Sequence, residues 1–275
     1  MTDKYAVIGN PIGFTKSPMI QSAFAGQFGH AIEYTAILGE LGGFAARIDQ
    51  FRAEGARGLN ITAPFKLDAF AYATDLSERA RRAGAVNALK FEDGRVFAEN
   101  FDGVGLTRDI TVNLGVPMRG KRVLLLGAGG AARGALLPFL AEEPAELVLV
   151  NRTVAKAAKL GAEFAGAGNL VVCGYAELTD ITGRFDLVVN ATSASLRTEL
   201  PPVPANAFQG AAVAYELAYG KGLTPFLQAA RAAGVPQLAD GVGMLVEQAA
   251  EAFTWWRGVR PQTASLIAQL TVPLS

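Results

Sequence analysis

A glycine-rich segment, Gly127-Ala-Gly-Gly-Ala-Ala132, follows the apolar run Arg122-Val-Leu-Leu-Leu126 and precedes an apolar helical pattern. Its first two glycines allow a tight turn and let backbone N–H groups approach a pyrophosphate at the start of a helix. The GxGxxA motif is weak alone, but here strand, turn, helix and second strand follow at the expected spacing. The segment predicts a dinucleotide site, and a tight strand–helix turn without a ligand is the alternative.

The end of the next strand indicates which dinucleotide is bound. NAD-binding proteins usually carry Asp or Glu about 20 residues after the glycine turn, where it holds the ribose 2′-hydroxyl. This chain has Asn151-Arg-Thr153 there, followed by Lys156. A guanidinium, a hydroxyl and an ammonium attract a 2′-phosphate that a carboxylate would repel. The sequence therefore favours NADP, and a helix cap at Asn151 with a solvated Arg152 is the alternative.

A lysine ends the segment Asn60-Ile-Thr-Ala-Pro-Phe-Lys66. We expect a strand over 58–62 and Pro64 at the first helical position, which puts Lys66 in the first helical turn. The helix macrodipole disfavours an exposed cation there by about 0.3–1 kcal/mol. A lysine so placed is a candidate for proton transfer, and an ordinary exposed lysine is the alternative. Asn60 and Thr62 alternate along the strand, so their side chains share one face.

Composition excludes several other kinds of chemistry. The 275 residues carry 25 Lys and Arg against 25 Asp and Glu, and a neutral chain does not favour binding to a nucleic acid. One cysteine, Cys173, and one histidine, His30, cannot build a disulfide or a zinc site, so we expect no metal. We find no signal peptide and no apolar run long enough for a membrane span, which predicts a cytoplasmic protein.

The elements that must position these residues follow an α/β pattern, in which β-branched runs alternate with Ala-rich amphipathic segments. We expect a largely parallel sheet and two domains, with a new unit near residue 104 and purely helical sequence from about residue 240. Asp93-Gly94 predicts a hairpin, and Ser17 is expected to cap a helix that Gly29 ends. The predicted strands are 5–8, 58–62, 85–91, 95–98, 122–126, 147–150, 187–189 and 213–215.

The chain resembles the shikimate dehydrogenase family over essentially its whole length. The motifs that carry the resemblance are Gly9-Asn-Pro-Ile12, Ser17-Pro18, Asn60-Ile-Thr-Ala-Pro-Phe-Lys66, Ala83-Gly-Ala-Val-Asn87, Asn100-Phe-Asp-Gly-Val-Gly105, Gly127 to Gly134, Asn151-Arg-Thr153, Asn190-Ala-Thr-Ser193, Lys221 to Phe226 and Ala239 to Gln248. The resemblance implies a substrate-binding α/β domain over 1–103, a Rossmann-like NADP-binding domain over 104–238, and C-terminal helices over 239–275 that pack back on the substrate domain.

The resemblance also implies a reaction, the reversible reduction of 3-dehydroshikimate to shikimate by NADPH. Lys66 matches the family's proton donor and acceptor, and Asp102 matches its catalytic partner. The matching substrate ligands are Thr15, Ser17, Asn60, Thr62, Asn87, Tyr219 and Gln248. The matching cofactor residues are Gly127, Ala128, Gly129, Gly130, Ala131, Asn151, Arg152, Thr153, Lys156, Thr192, Leu217 and Gly241. Gln248 has independent support, because an amide on the apolar face of a helix needs a partner.

The chain departs from the family pattern at several positions. Phe14 and Thr15 stand where the family usually has His-Ser, and Ala88 and Phe101 each replace a threonine. We expect these changes to make the pocket bulkier and more apolar. Lineage drift with intact polar ligands is one explanation, and a paralogue that prefers quinate or a related cyclohexene acid is another. A non-catalytic NADP-binding regulator is the rival function, and the sequence leaves monomer and homodimer open.

Overall fold

The computed structural model describes residues 2–181 and 183–274. The chain forms two compact units, one of Met1–Gly105 with Val246–Leu266 and the other of Leu106–Leu245 with Ile267–Ser275. Contacts within the chain define these units, whereas the predicted domains are defined by what each of them binds. The predicted domain boundaries, after residues 103 and 238, therefore stay a prediction.

The first unit is built on a six-stranded mixed sheet with the order β2-β1-β3-β5-β6-β4. The pairs β1–β2, β1–β3 and β4–β6 are parallel, whereas β3–β5 and β5–β6 are antiparallel. Strands β3 and β6 therefore run in the same direction and end at the same sheet edge. The elements are β1 Asp3–Gly9, α1 Ser17–Phe28, β2 Ile32–Leu38, α2 Phe44–Ala53, β3 Ala56–Ile61, α3 Lys66–Tyr72, β4 Asp75–Leu76, α4 Glu78–Ala83, β5 Ala88–Glu92 and β6 Arg95–Glu99.

The second unit contains a six-stranded sheet in which every pairing is parallel. Its order, β12-β11-β10-β7-β8-β9, is that of a doubly wound dinucleotide-binding fold. The predicted α/β class with a Rossmann-type domain is confirmed. The strands are β7 Arg122–Leu126, β8 Glu146–Val150, β9 Leu170–Cys173, β10 Leu187–Asn190, β11 Val213–Glu216 and β12 Gln237–Asp240.

Helices connect these strands and complete the chain. The helices are α5 Asp102–Arg108, α6 Gly130–Ala141, α7 Val154–Glu163, α8 Tyr175–Leu178, α9 Pro225–Ala232, α10 Val242–Arg257 and α11 Ala264–Leu270. A short π-helical segment, Asp109–Asn113, directly follows α5, and two 3₁₀ helices, Ala194–Arg197 and Ala205–Phe208, lie between β10 and β11. In the described part of the chain, no helix combines the length and apolar character needed to cross a membrane.

The predicted hairpin is confirmed at Asp93-Gly94. Strands β5 and β6 pair antiparallel on either side of it. Both turn residues have positive φ, 51° for Asp93 and 77° for Gly94, as a two-residue type I′ turn requires. The hairpin carries the chain away from the sheet edge where β3 ends and returns it to the same edge.

Two predicted helix starts are wrong. Helix α1 begins at Ser17 with Lys16 at its N-cap, so Ser17 is the first helical residue and not the cap. Helix α3 begins at Lys66, because the Phe65 N–H donates to the Thr62 carbonyl oxygen (3.1 Å) and closes a turn that includes Pro64. Lys66 nevertheless lies in the first turn of its helix, as predicted.

Candidate functional site

Lys66 and Asp102 form an ion pair in the first unit, with 2.5 Å between Nζ and Oδ2. Lys66 opens α3 after β3, and Asp102 opens α5 after β6. Because both strands end at the same sheet edge, residues 36 positions apart in sequence meet there. The side chains are 32% and 20% exposed, so solvent and a ligand can reach the pair.

Asn87 holds the other oxygen of this carboxylate. It precedes β5, the strand that lies between β3 and β6. Its Nδ2 donates to Oδ1 of Asp102 (2.8 Å) and to Oε1 of Gln248 (3.2 Å), and its Oδ1 accepts from the Phe101 N–H (2.8 Å). Four of the predicted site residues, Lys66, Asn87, Asp102 and Gln248, therefore form one continuous polar cluster.

Asn100 fixes the backbone at Asp102. Its Oδ1 accepts from the Asp102 N–H (3.1 Å), and its Nδ2 donates to the Ala85 carbonyl (3.0 Å). The side chain is 5% exposed, so these bonds form away from solvent. We predicted no role for Asn100, although an Asn two residues before Asp is a sequence signal for such a side-chain turn.

Asn60 joins the cluster from β3. Its Nδ2 donates to the Asn87 carbonyl (3.3 Å), and its Oδ1 accepts from the hydroxyl of Tyr34 (2.7 Å). Burial raises the pKa of Tyr34 well above its ordinary value, and a hydrogen bond with Ser17 opposes that shift. The sequence did not single out Tyr34, because one tyrosine in a short strand has no distinguishing pattern.

The predicted hydroxyl ligands lie on the segment that enters α1. Oγ1 of Thr15 donates to Oγ of Ser17 (3.2 Å), and the Ser17 N–H donates back to the Thr15 oxygen (3.3 Å). Thr62 is half-buried after β3, where its backbone N–H donates to the Ile8 carbonyl (3.0 Å).

Two of the departures from the family pattern face the core of the first unit. Phe101 is 3% exposed and Ala88 is fully buried, and both pack in a cluster with Ala252. The Phe101 ring meets Trp255 edge to face, with 5.7 Å between ring centroids. The expectation that Ala88 and Phe101 make the pocket bulkier is wrong, because neither side chain points into the polar cluster. Phe14, by contrast, is 94% exposed.

The glycine turn of the second unit has the geometry of a phosphate-binding loop. Gly127 has φ +106°, and a Cβ there would lie 3.0 Å from the Ala191 carbonyl oxygen, so this position requires glycine. Gly129 is the N-cap of α6, with extended backbone and open space around it. The Ala128 N–H donates to Oδ1 of Asn151 (3.2 Å), which ties the turn to the end of β8.

A cavity of about 610 Å³ opens over this turn, at the carboxyl ends of the strands. It is lined by the predicted cofactor residues Gly127, Ala128, Gly129, Gly130, Ala131, Asn151, Arg152, Thr153, Lys156 and Thr192. Cofactor pockets typically measure about 300–1,000 Å³. The volume, the bare backbone at Gly127 and the helix N-terminus fit a dinucleotide.

A buried polar network holds Thr192 in position. Its Oγ1 donates to Oδ1 of Asn190 (2.7 Å), and Nδ2 of Asn190 donates to Glu216 (2.9 Å). Glu216 is fully buried, and burial raises its pKa although several hydrogen bonds lower it. Glu216 thus ties the wall of the cavity to the end of β11.

Three predicted ligands of the second unit lie outside the cavity lining. Leu217 and Gly241 adjoin each other, since a Cβ on Gly241 would come within 2.1 Å of the Leu217 carbonyl oxygen. Tyr219 is 46% exposed. These three residues occupy the segments that follow β11 and β12.

The cavity also contains charged and aromatic residues that the sequence did not reveal. Arg197 and Glu199 form an ion pair on its rim (3.0 Å), and Tyr175 lines it beside Arg152. Burial raises the pKa of Tyr175 to about 12, against the opposing charge of Arg152. The hydrogen bond from Arg197 and then its charge, with a smaller contribution from the charge of Arg152, hold the pKa of Glu199 below its ordinary value.

The chain is similar to curated proteins over almost its whole length. A protein of Nitrosospira multiformis named shikimate dehydrogenase (NADP(+)) is 52% identical over 98% of both chains. The chain belongs to the shikimate dehydrogenase family. Three family models match in order: the shikimate dehydrogenase substrate binding domain over 7–89, shikimate/quinate 5-dehydrogenase over 111–198 and the shikimate 5′-dehydrogenase C-terminal domain over 241–271. The family predicted from the motifs is confirmed.

Solved structures of the shikimate dehydrogenase fold also match. The Ael1 enzyme of Pseudomonas putida is 61% identical, with a TM-score of 0.97 and full coverage of both chains. A shikimate dehydrogenase of Thermus thermophilus, in complex with NADP(H) and shikimate, is 30% identical with a TM-score of 0.85, covering 97% of this chain and 98% of its own. The family thus includes structures that hold both a cofactor and a ring acid.

Proposed function

We propose that this protein is an NADP-dependent shikimate dehydrogenase that interconverts 3-dehydroshikimate and shikimate. The observation that carries the proposal is the Lys66–Asp102 ion pair, set in a cluster of neutral amides at one sheet edge. The 52% identical relatives named shikimate dehydrogenase (NADP(+)) support both the reaction and the cofactor. A regulator without turnover would have no use for a paired lysine and carboxylate.

The proposed chemistry is reduction of a ring ketone to an alcohol. When bound, NADPH would supply the hydride to the carbonyl carbon. Lys66 holds a proton on Nζ and gives it to the carbonyl oxygen, and in the reverse direction it takes the proton from the alcohol. Asp102 accepts a hydrogen bond from the substrate hydroxyl and keeps Lys66 oriented. Asn87 fixes the plane of that carboxylate from its other side.

The neutral side chains of the cluster suit a polyhydroxylated ring. We assign Asn60, Thr62, Asn87 and Gln248 to ring hydroxyls, because amides and hydroxyls both donate and accept hydrogen bonds. Thr15, Ser17 and Tyr219 are assigned to the carboxylate of the substrate. Leaving a buried polar group of such a site unpaired costs about 1–3 kcal/mol, which favours substrates that carry every hydroxyl.

The cofactor would occupy the cavity of the second unit. The backbone of Gly127 to Ala131 would hold the pyrophosphate, and Arg152, Thr153 and Lys156 would hold the 2′-phosphate. Asn151 supports the turn through its bond to Ala128. Thr192, Leu217 and Gly241 are assigned to the nicotinamide end. Cytoplasmic location and the choice between monomer and homodimer stay predictions.

The test is a substrate panel that follows NADPH absorbance. The purified protein is assayed with shikimate and with quinate, each with NADP and with NAD. We expect turnover with shikimate and NADP to exceed every other combination. An absence of turnover with any ring acid would favour the regulator, and faster turnover of quinate would show a paralogue with a changed substrate preference.

The positions of the residues that depart from the family pattern indicate which of them would change the substrate preference. Quinate carries an extra hydroxyl on the carbon that bears the carboxylate. Of the departures from the family pattern, Ala88 and Phe101 pack into the core, whereas Phe14 and Thr15 stand beside the assigned carboxylate ligand Ser17. We therefore assign any discrimination between the two acids to Phe14 and Thr15.

A further inference from the structure

The hydroxyl of Tyr34 lies inside the first unit, beside an assigned substrate ligand. Tyr34 belongs to β2 and is 8% exposed. Its hydroxyl donates to Oδ1 of Asn60 (2.7 Å). The ring packs among apolar side chains, so the hydroxyl is the polar end of an otherwise apolar residue. Proton transfer through Lys66 and Asp102 makes no use of it.

The direction of these hydrogen bonds follows from the neighbours of Asn60. A backbone carbonyl only accepts, so the carbonyl of Asn87 requires the NH₂ group of Asn60 to face it (3.3 Å). The amide oxygen of Asn60 must then face Tyr34, which has to donate its single proton there. Tyr34, Asn60 and the Asn87 carbonyl therefore form one directed chain of hydrogen bonds.

The Asn87 carbonyl and the Tyr34 hydroxyl together hold an amide that could otherwise turn over. Asparagine oxygen and nitrogen have almost the same shape, and only the surrounding hydrogen bonds distinguish the two orientations. A reversed Asn60 would point its oxygen at the Asn87 carbonyl, which only accepts, and would offer a substrate hydroxyl the wrong partner. The Asn87 carbonyl therefore selects the orientation, and Tyr34 holds the selected amide in place at its oxygen.

We propose that Tyr34 is a positioning residue for substrate recognition, which holds the side chain of Asn60 in place within the amide cluster. The inference rests on the proposed function, because it assigns Asn60 to the ring acid. Tyr34 does not contact the reacting atoms. Its effect falls on substrate binding and leaves proton transfer by Lys66 unchanged.

The test is Tyr34→Phe, which removes one oxygen and keeps the packed ring. Loss of one buried hydrogen bond corresponds to about a tenfold change in an equilibrium constant, so we expect the KM for shikimate to rise about tenfold. We expect kcat and the KM for NADP to stay near the wild-type values. A raised KM with an unchanged kcat indicates a positioning role. A loss of fold would instead lower the active fraction and therefore kcat.

Tyr5 supplies a matched control. It is 3% exposed and packs in the same cluster as Tyr34 beside Trp256, but its hydroxyl meets Arg257 (3.3 Å). Tyr5→Phe therefore removes a phenolic oxygen from the same core with no link to Asn60. We expect Tyr5→Phe to leave the KM for shikimate unchanged, and melting temperatures of both variants report any general destabilisation.

A double-mutant cycle with Asn60→Ala completes the experiment. If Tyr34 acts through Asn60, Tyr34→Phe adds nothing to the KM of the Asn60→Ala variant. An active wild type with an unchanged KM in Tyr34→Phe, or equal effects in both backgrounds, would overturn the role of Tyr34 and leave the proposed function intact. A wild type that turns over no ring acid would overturn the proposed function and this inference with it.

Discussion

The amide of Asn87 donates to Oδ1 of Asp102 at 2.8 Å, while the ammonium of Lys66 lies 2.5 Å from Oδ2 of the same carboxylate. Each oxygen of Asp102 thus has its own donor, one neutral and one charged. The plane of the carboxylate is fixed by two residues from different parts of the chain, since Asn87 precedes β5 and Lys66 opens α3. A substrate hydroxyl that binds here meets a preorganised acceptor beside a proton donor.

Replacing Lys66 tests its proposed role in proton transfer. We expect Lys66→Ala to lower kcat at least 100-fold, since general acid–base catalysis contributes about 10²–10⁴-fold. The KM for NADP should stay near its wild-type value, because Lys66 belongs to the first unit and the cofactor cavity to the second. Steady-state kinetics in both directions measure these effects.

Lys90→Ala is the control for this experiment. Lys90 lies in the same unit and pairs with Glu92 (3.0 Å), so its removal deletes an ammonium from a pair outside the Lys66–Asp102 cluster. We expect its kcat to match the wild type. Normal turnover in Lys66→Ala would contradict the proposed mechanism.

Replacing Arg152 tests the choice of cofactor. Arg152→Asp puts a carboxylate where a 2′-phosphate is expected, so we predict that the KM for NADP rises at least about tenfold while the KM for NAD changes less. Arg119→Asp is the matched charge reversal in the same unit, since Arg119 is an exposed arginine that pairs with Glu143. An unchanged KM for NADP in Arg152→Asp would refute the assignment.

Phe101 and Ala88 are predicted to be energetically coupled. Restoring the usual threonine at 101 removes a buried ring, and such truncations cost about 3–5 kcal/mol. Ala88→Thr adds atoms to a filled core, at a cost of about 1–3 kcal/mol. In the double variant the added atoms occupy part of the space left by the ring. We therefore expect the loss in the free energy of unfolding to be smaller than the sum by about 0.5–3 kcal/mol. Urea denaturation measures all four proteins, and strictly additive losses would show that the two positions do not share a cavity.

Cys173 is predicted to be unreactive in the folded protein. Burial, and then the charge of Glu177, raise the pKa of its thiol to about 11, and the side chain is 8% exposed. The thiolate is the reactive form, so a thiol-specific disulfide reagent at pH 8 should leave the native protein unmodified and label it fully in guanidinium chloride.

The same shift gives Cys173 a pH dependence with a defined sign. Between the ordinary thiol pKa of 9.0 and the raised value of about 11, the folded chain keeps a proton that the unfolded chain has lost. The contribution of Cys173 to stability therefore falls as the pH rises through this range. Cys173→Ala should remove that part of the decline, and fast labelling of the native wild type would show that the thiol is accessible.

The sequence predicted four of the six strands in each unit and missed β2, β4, β9 and β12. Strands β7 and β8 are continuous apolar runs that are buried on both faces, so composition alone identifies them. Strand β2 buries only Tyr34 and Ile37 of seven residues, so it has no regular alternation, and it was missed. Strand β12 has four residues and leads directly into α10, so its sequence merges with the helical pattern.

The residues of the site were easier to predict than the contacts between them. The motifs named Lys66 and Asp102, but their contact joins residues 36 positions apart, and only the resemblance placed them together. The misjudged orientation of Phe101 has a simple cause. It stands between Asn100 and Asp102, which are hydrogen-bonded to each other at the site, but its own ring packs against Trp255 in the core. Sequence patterns report residue types well and side-chain directions poorly at the ends of strands.

The β5–β6 hairpin separates the recognition end of the sheet from a region that is free to vary. Asn87 precedes β5 and Asp102 follows β6, so both ends of the hairpin meet at the site. Five residues per strand put the Asp93-Gly94 tip about 16 Å away, at the opposite edge. A loop inserted at the tip would leave the distances around Asp102 unchanged. The tip is therefore a suitable site for immobilising the enzyme or attaching a reporter group.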